Sequence, residues 1–387
     1  MDITATTNKA IPNPVPLAIV GAGIHGVHLA VALLEDGVLT PEEIVLIDPQ
    51  GTPFATWVTR AENCGMDYLR SNGSHSIAPD FYRLRRQLKP GEWTPPYHRP
   101  ATQRFHQHLS EAISQLPGSL NIVSTTVRAI HRGHGYTIVG ADDTEVSARA
   151  VVLAPGQPPV FIPPEAQLLP QERVVHIHSA QFSRTSIAPG SRVIILGGGI
   201  AAAHLALSLA TQPLRVELWH RDPLGVHQFD SDPCFIGPRC GDVIRAIPDL
   251  AVRHTAIARS RRGGSIPEDL FHKLMAAAFH QRIILRHGTI DAARHEDADL
   301  YVLSTGFAHE PPAAELVDQI STSLGAQRSP WGYPVPEEDL SWLPGLYVTG
   351  GLAEVVLGPP ARNIIGAHLA RRRILPSLQQ FLTSEVG

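Results

Sequence analysis

Two glycine-rich turns constrain the fold of this chain more than any other feature, because each lies between an apolar run of strand character and an apolar helix. The small residues of the first turn are Gly21, Gly23 and Gly26. Those of the second, 176 residues further on, are Gly197, Gly199 and Ala202. The first residue permits a tight bend, the second lets backbone approach a pyrophosphate, and the third lets helix pack closely on strand. Two such turns predict two dinucleotide sites.

The residue that ends the next strand distinguishes the two sites. After the first turn, the strand IVLID ends at Asp48, 22 residues beyond Gly26, where a carboxylate binds a free ribose 2′-hydroxyl. After the second, RVELWHRD carries Arg221 at the equivalent place, where a guanidinium binds a 2′-phosphate. FAD has the hydroxyl and NADPH has the phosphate. The sequence therefore predicts FAD at the first site and NADPH at the second. The alternative is that Asp48 and Arg221 are ordinary polar strand ends.

Composition excludes several classes of protein. The chain has 387 residues, of which 43% are hydrophobic and 18% charged, as expected for a soluble globular protein of two or three domains. A net charge of −4 creates no field that attracts nucleic acid or an anionic membrane. The longest apolar stretch, about residues 15–34, contains three glycines and two histidines, which argues against a membrane span. The N-terminal segment lacks a signal pattern, so we predict a cytoplasmic protein.

Cysteine and histidine usage predicts neither a redox disulfide nor a metal site. The three cysteines are Cys64, Cys234 and Cys240. Pro233, Gly237 and Pro238 make the loop between the last two irregular, which argues against their acting as a redox pair. The 20 histidines are scattered, without cysteine or carboxylate partners at metal-ligand spacing.

The order of elements predicts a nested α/β architecture of two Rossmann-like dinucleotide-binding domains. The elements are strand–helix–strand over 16–48, a helix over 99–116, a small meander over 120–153, a proline-rich crossing over 155–170, a strand over 297–307 and a helix over about 361–373. We predict an FAD-binding domain over 1–160, an inserted NAD(P)H-binding domain over 161–296, and completion of the FAD-binding domain by 297–387.

Three further motifs complete a recognisable set. A late strand ends in Leu303, Ser304, Thr305, Gly306 and Phe307, four residues after Asp299; AVVLAPG ends at Gly156; and HIHSAQF covers 176–182. With the two turns, this ordered set resembles the flavin monooxygenases with two dinucleotide domains, particularly the amino-acid N-hydroxylase and flavin-containing monooxygenase branch. The resemblance implies a glutathione-reductase-like architecture.

The chain departs from that pattern in three places. Ile24 and His25 follow Gly23, where N-hydroxylases of ornithine or lysine usually begin with proline. The F-x-G-x-x-x-H motif of flavin-containing monooxygenases is absent. Gly351 stands where the related disulfide reductases have an aspartate that binds the ribityl chain.

The resemblance implies an FAD-dependent, NADPH-using monooxygenase. Such an enzyme uses O₂ to oxygenate a nitrogen or sulfur of a small metabolite through a C4a-(hydro)peroxyflavin. Flavin contacts are expected from Trp57, Met66, Arg70, Ser71 and Asn72, of which Arg70 and Asn72 are the candidate catalytic residues. Further FAD contacts are expected from Gly156, Gly350, Gly351 and Asn363, and Thr305 and Gly306 are expected at the NADPH site or the domain interface.

Several alternatives stay open at this point. Arg70 in a surface salt bridge is as good an interpretation as Arg70 at the flavin. Asp230, Asp232 and Arg239 contact NADPH or substrate, or they lie in a solvated loop. The chain as a whole is a monooxygenase, a reductase that passes electrons to a quinone or protein carrier, or a nucleotide-binding sensor with little turnover. The sequence names neither the substrate nor the oligomeric state.

Overall fold

Two β-sheets organise the chain, and each has one glycine turn at the carboxyl end of its central strand. The computed structural model describes residues 13–290 and 297–384. Residues 1–12, on which the expected absence of a signal pattern rests, and the predicted boundary at 296 lie outside this range.

The strands, in chain order, are β1 (Val15–Val20), β2 (Ile44–Ile47), β3 (Trp93–Thr94), β4 (Arg99–Pro100), β5 (Asn121–Val123), β6 (Val127–Arg132), β7 (Tyr136–Gly140), β8 (Glu145–Leu153), β9 (Val174–His176), β10 (Arg192–Leu196), β11 (Arg215–His220), β12 (Gly225–Val226), β13 (Ser265–Ile266), β14 (Ile284–His287), β15 (Leu300–Leu303), β16 (Ser341–Leu343) and β17 (Leu346–Val348). The helices are α1 (Ile24–Glu35), α2 (Ala55–Cys64), α3 (Arg83–Gln87), α4 (Thr102–Ser114), α5 (Ile200–Leu209), α6 (Pro238–Arg245), α7 (Leu250–Ser260), α8 (Glu268–Phe279), α9 (Ala314–Leu324), α10 (Glu354–Leu357) and α11 (Ile364–Ser384).

The first sheet has the order β16-β17-β8-β1-β2-β5, and the β6–β7 hairpin joins it through β8. β1 lies parallel to β2 and β8. Its residues Leu17, Ala18 and Ile19 are fully buried, because a central parallel strand is covered on both faces. The predicted strand–helix–strand unit and the meander over 120–153 are confirmed.

The second sheet has the order β14-β11-β10-β15-β9, and all its pairings are parallel. Here the predicted domain boundaries need a correction. The strand Leu300–Leu303 was assigned with 297–387 to the first unit, but it pairs with β10 and β9 of the second sheet. Its apolar sequence predicted a strand and carried no information about the pairing partner.

The two connections between the sheets run side by side. Val160, on the outward connection, and Phe307, on the return, form an isolated antiparallel bridge. Phe161 N donates to the Gly306 carbonyl (3.0 Å), and Ala308 N donates to the Pro159 carbonyl (2.8 Å). The proline-rich segment 155–170 is therefore a crossing, as predicted.

The C-terminal helix is longer than predicted. Although the sequence indicated a helix over about 361–373, α11 continues to Ser384 and includes Pro376. Ile374, Leu378 and Leu382 continue its buried face. Burial of these side chains outweighs the backbone hydrogen bond that a proline inside a helix removes.

Cys234 and Cys240 are paired, although the irregular loop between them argued against their acting as a redox pair; that they have no redox role stays a prediction. Their Cα atoms lie 5.4 Å apart and their sulfurs form a disulfide. Pro233 begins a 3₁₀ turn and Pro238 begins α6, which are favourable positions for proline. The prolines taken as signs of irregularity thus shape two successive turns that bring the sulfurs together.

Candidate functional site

The first glycine turn is built by close backbone approach. Gly21 has φ +111, and a Cβ on it would lie 2.2 Å from the Ala154 carbonyl oxygen. A Cβ on Gly26 would lie 2.0 Å from the Gly21 carbonyl oxygen. By contrast, nothing lies within 4 Å of the place where Gly23 would carry a Cβ. Gly23 also caps α1 without any side-chain hydrogen bond to the helix end. Open space before free N–H groups at a helix N-terminus fits a pyrophosphate.

Asp48 lies beside the same turn. Its Oδ2 accepts from the backbone N–H of Ala22 (2.9 Å), and its Oδ1 accepts from that of Gln50 (2.9 Å). An ionised carboxylate has about four acceptor positions, so these two bonds orient the group and leave capacity for a ribose hydroxyl. The predicted role of Asp48 stays a prediction, which its position supports.

The second turn repeats this geometry. Gly197 has φ +143, and a Cβ on it would lie 2.2 Å from the Ser304 carbonyl oxygen at the end of β15. Ala202 is fully buried. Gly199 caps α5, again without a side-chain hydrogen bond. A Cβ on Gly199 would lie 3.5 Å from Gly264 Cα, so the loop before β13 borders this site. The Gly-Gly pair at 263–264 was a visible signal for that loop, which the sequence reasoning missed.

Arg221 follows β11, as the NADPH interpretation requires. Its side chain is 69% exposed and, among the described residues, forms an ion pair only with the similarly exposed Asp222 (3.2 Å). Arg262, which the sequence analysis did not select, lies two residues before Gly264 and is 41% exposed. The second site therefore has two solvated guanidiniums near its rim, suited to an anionic ligand.

Arg70 connects the first unit to the segment between β12 and β13. Its Nε donates to the Gln228 carbonyl (2.9 Å), and Nη2 donates to the His227 carbonyl (2.9 Å) and Ser265 Oγ (2.8 Å). Desolvation lowers the pKa of Arg70. Arg70 is thus held by hydrogen bonds across the two units and forms no salt bridge with any described residue, which argues against the surface-salt-bridge interpretation. Its role at the flavin stays a prediction.

The other predicted flavin contacts lie around the same loop. Trp57 packs on Phe105, with ring centroids 4.9 Å apart. Met66 contacts the hydrophobic cores of both units. Asn72 Oδ1 accepts from Ser74 N (2.8 Å), which makes a local turn, and Ser71 beside it is half-buried.

The predicted residues at the sheet ends divide into two groups. Gly350 (φ +65) and Gly351 follow β17 in the first unit, and Gly156 (φ +88) follows β8. Thr305 and Gly306 follow β15 and contact Phe161 on the outward crossing: Thr305 Oγ1 donates to the Phe161 carbonyl (2.5 Å). Thr305 and Gly306 are therefore part of the connection between the units, one of the two locations predicted for them.

Asn363 and Asp230 link the units at the start of α11. Asn363 Nδ2 donates to Asp230 Oδ1 (3.1 Å). Asp232 accepts from Cys234 N (2.9 Å), and Arg239 is exposed. Asp230 therefore belongs to an interface and Asp232 caps a turn, whereas Arg239 is an exposed residue of α6 rather than part of a loop.

A buried ion cluster strengthens the same interface. Glu354, only 3% exposed, accepts from Arg261 Nη2 (3.1 Å) and Arg362 Nε (2.8 Å). Arg362 Nη2 also donates to Tyr333 Oη (2.8 Å). Desolvation raises the pKa of Tyr333, so its hydroxyl stays protonated. Sequence gave no signal for this cluster, because its members lie far apart in the chain.

Two family models match parts of this chain, and each matched stretch includes one of the two glycine turns. Residues 18–158 match the family model described as FAD-NAD(P)-binding, and residues 96–225 match the model described as L-lysine 6-monooxygenase/L-ornithine 5-monooxygenase. These matches confirm the predicted resemblance to the flavoproteins with two dinucleotide-binding domains, which include the flavin monooxygenases. This confirms the predicted class, an FAD- and NAD(P)H-dependent oxidoreductase.

Solved structures place this flavoprotein among known folds. The ornithine hydroxylase PvdA from Pseudomonas aeruginosa is 18% identical, with a TM-score of 0.72 over 95% of this chain and 99% of that one. The cadaverine monooxygenase DfoA from Erwinia amylovora is 15% identical, with a TM-score of 0.70 over 95% of each chain. At these identities the likeness shows the fold, which confirms the predicted α/β architecture.

A curated relative matches a shorter part. The probable ferredoxin reductase CtmF from Castellaniella defragrans is 31% identical over 125 residues, and the match spans 30% of each protein. Within the described residues of the flavoprotein, no helix is long and apolar enough to cross a membrane. The same residues contain no group of three or more His, Cys, Asp or Glu side chains placed to hold a metal ion.

Proposed function

We propose that this flavoprotein is an NADPH- and O₂-dependent monooxygenase that oxygenates an amine nitrogen of a small metabolite. The observation that carries the proposal is the match of residues 96–225 to the lysine/ornithine monooxygenase model. That stretch runs from just before β4, through the outward crossing and the second glycine turn, to the start of β12, so it includes parts of both units. The solved neighbours are described as an ornithine hydroxylase and a cadaverine monooxygenase, which favours nitrogen over sulfur.

The positions of the two glycine turns and of the residues around them support the following assignment of cofactor-binding residues. For FAD they are the first glycine turn, Asp48, the loop 66–72, Gly156, Gly350, Gly351 and Asn363. For NADPH they are the second turn and Arg221. Bound flavin supplies the electron transfer from NADPH and the activation of O₂. The chain orients both nucleotides, and the links through Arg70, Asp230 and Glu354 keep the two units together so that water is excluded between them.

A turnover assay tests this function. NADPH oxidation by the FAD-loaded protein is followed with a panel of diamines and basic amino acids, and hydroxylated product and H₂O₂ are measured together. An oxygenated amine formed in proportion to NADPH, with little H₂O₂, is the expected result. NADPH oxidation that no amine stimulates, with every electron pair recovered as H₂O₂, would contradict it.

A second candidate is transfer of electrons to a protein carrier. The similarity to a probable ferredoxin reductase over 125 residues favours it. Reduction of cytochrome c that depends on added ferredoxin, in the absence of any oxygenated product, would establish this function instead.

A further inference from the structure

His25 makes contacts that the glycine turn itself does not require. It is the second residue of α1 and lies between Gly23 and Gly26. Its Nδ1 is 2.9 Å from Thr349 Oγ1, and its Nε2 is 3.1 Å from the Asn363 carbonyl oxygen. These partners are 324 and 338 positions away in the sequence. A single side chain therefore joins the first turn to the segment between β17 and α11.

The neutral imidazole with its proton on Nε2 satisfies both contacts. The Asn363 carbonyl only accepts, so Nε2 carries the proton and donates it. Nδ1 then has a lone pair and accepts from the Thr349 hydroxyl. Desolvation lowers the pKa of His25 to about 4, which keeps this neutral form at physiological pH.

One partner of His25, Asn363, is a predicted flavin contact, and the other, Thr349, directly precedes two more. Thr349 follows β17 and precedes Gly350, where a Cβ would lie 3.8 Å from His25 Cγ. Asn363 is the last residue before α11, and its carbonyl also accepts from Gly366 N (2.9 Å). The imidazole thus ties the N-terminus of α1 to the N-terminus of α11 and to the end of β17.

We propose that His25 is a positioning residue for FAD, which fixes the helix end facing the pyrophosphate relative to the helix end facing the flavin ring. One cofactor that spans two helix N-termini needs a constant distance between them, because both supply N–H groups and partial positive charge. Fixing that distance in the folded chain lowers the ordering cost of binding. The proposal rests on FAD binding at the first turn and is independent of whether an amine is oxygenated.

Three variants and one matched control test this role in the full-length protein. His25→Leu removes both hydrogen bonds, Thr349→Val removes only the hydroxyl donor, and His25→Gln keeps an amide N–H near the position of Nε2. The control is His28→Leu on the same helix: buried His28 bonds to the Ile77 carbonyl (2.7 Å) and packs on His368 of α11 with ring centroids 4.2 Å apart, so this change tests packing between α1 and α11 without removing the hydrogen bonds of His25. For each protein we would measure the Kd for FAD, the visible circular dichroism of bound flavin, and Tm.

The expected result separates cofactor positioning from simple stability. His25→Leu binds FAD roughly tenfold or more weakly and changes the visible dichroism, Thr349→Val shows a loss of about threefold to tenfold, and His25→Gln recovers part of the affinity. His28→Leu lowers Tm and keeps the wild-type Kd and dichroism. Wild-type FAD binding in His25→Leu, or an equal loss in His28→Leu, overturns the proposal. If His25→Leu does not fold, wild-type affinity and dichroism in Thr349→Val overturn it.

Discussion

The two glycine turns have nearly the same backbone geometry, but the chain encloses them differently. A Cβ on Gly21 or on Gly197 would meet a carbonyl oxygen of the neighbouring strand at 2.2 Å. Around the first turn, however, Thr349 and Asn363 return from the far end of the chain to contact His25. Around the second, Arg221 is 69% exposed. This difference fits a resident cofactor at the first turn and an exchangeable one at the second.

The largest effects should come from replacing the first glycine of each turn with alanine, which adds a methyl group where the backbone leaves no space. Gly21→Ala forces a Cβ against the Ala154 carbonyl oxygen, so the purified protein should retain less than about a tenth of the wild-type flavin. Gly197→Ala, with the same local clash, should keep its flavin and lose NADPH binding. The ratio of absorbance at 450 nm to that at 280 nm, and KM for NADPH, measure the two outcomes. Loss of flavin from both variants alike would contradict the division between the sites.

A smaller change tests the assignment of the second nucleotide. Arg221→Ala should raise KM for NADPH by about 10- to 100-fold, because charge-assisted bonds to the 2′-phosphate are lost, and should leave KM for NADH unchanged. Arg215→Ala is the matched control, since Arg215 is an exposed arginine at the start of β11. Equal effects on NADPH and NADH would place Arg221 away from the 2′-phosphate.

Acidity should weaken the first unit through its buried histidines. Desolvation lowers the pKa of His75 to about 4 and that of His108 to about 3, and His108 Nε2 accepts from Ile77 N (3.1 Å). The unfolded chain takes up these protons near pH 6.5, so stability is full above that pH and falls as pH decreases toward 4. Flavin release and the urea midpoint, measured from pH 7.5 to 4.5, report the loss.

Substitution of His108 tests whether this buried histidine causes the pH dependence, and substitution of an exposed histidine is the control. His108→Gln, whose amide oxygen can accept the same bond, should reduce the slope of stability against pH. His134→Gln, at an exposed position of the β6–β7 hairpin, should not change it. An unaltered slope in His108→Gln would show that other groups set the acid sensitivity.

The smallest expected effect is a difference in alkylation between the buried Cys64 of the first unit and the paired Cys234 and Cys240 of the second. The disulfide between Cys234 and Cys240 lies in the segment after β12, whereas Cys64 is buried and desolvation raises its pKa to about 12. Iodoacetamide should therefore modify no cysteine of the folded oxidised protein, two after mild reduction, and the third only after unfolding. Mass spectrometry counts the adducts, and two adducts without reductant would mean that the pair is not bonded.

Local patterns predicted the parts of the fold that depend on neighbouring residues. The strand, turn and helix around Gly21 were predicted because each feature is encoded within about 30 residues, as such units generally are. The assignment of Leu300–Leu303 failed because strand pairing depends on residues about a hundred positions away, such as those of β10. The prediction that the last helix ends near residue 373 failed for a related reason. Buried contacts of α11 compensate for Pro376, which locally disfavours a helix.

The candidate site divides in the same way. Gly23, Asp48 and Arg221 occupy positions that a linear motif predicts. The sequence drew attention to His25 only because it belongs to the Ile24–His25 pair, which begins where related enzymes usually have proline. Its partners Thr349 and Asn363 come close to it only once β17 and α11 are folded against α1. Arg70 was selected for its charge, yet the structure shows it bonded to backbone carbonyls of the other unit, which no charge pattern in the sequence encodes.

The paired crossings at Val160 and Phe307 have an architectural consequence. Because the chain leaves the first sheet and returns to it at adjacent points, everything between forms a cassette with a single two-stranded stem. Transplanting such a cassette requires two splice points a few ångströms apart, and the core around β1 is not cut. Exchange of the reductant-binding half between related flavoproteins therefore needs only two closely spaced joints, provided that the contacts of Arg70, Asp230 and Glu354 between the units are matched.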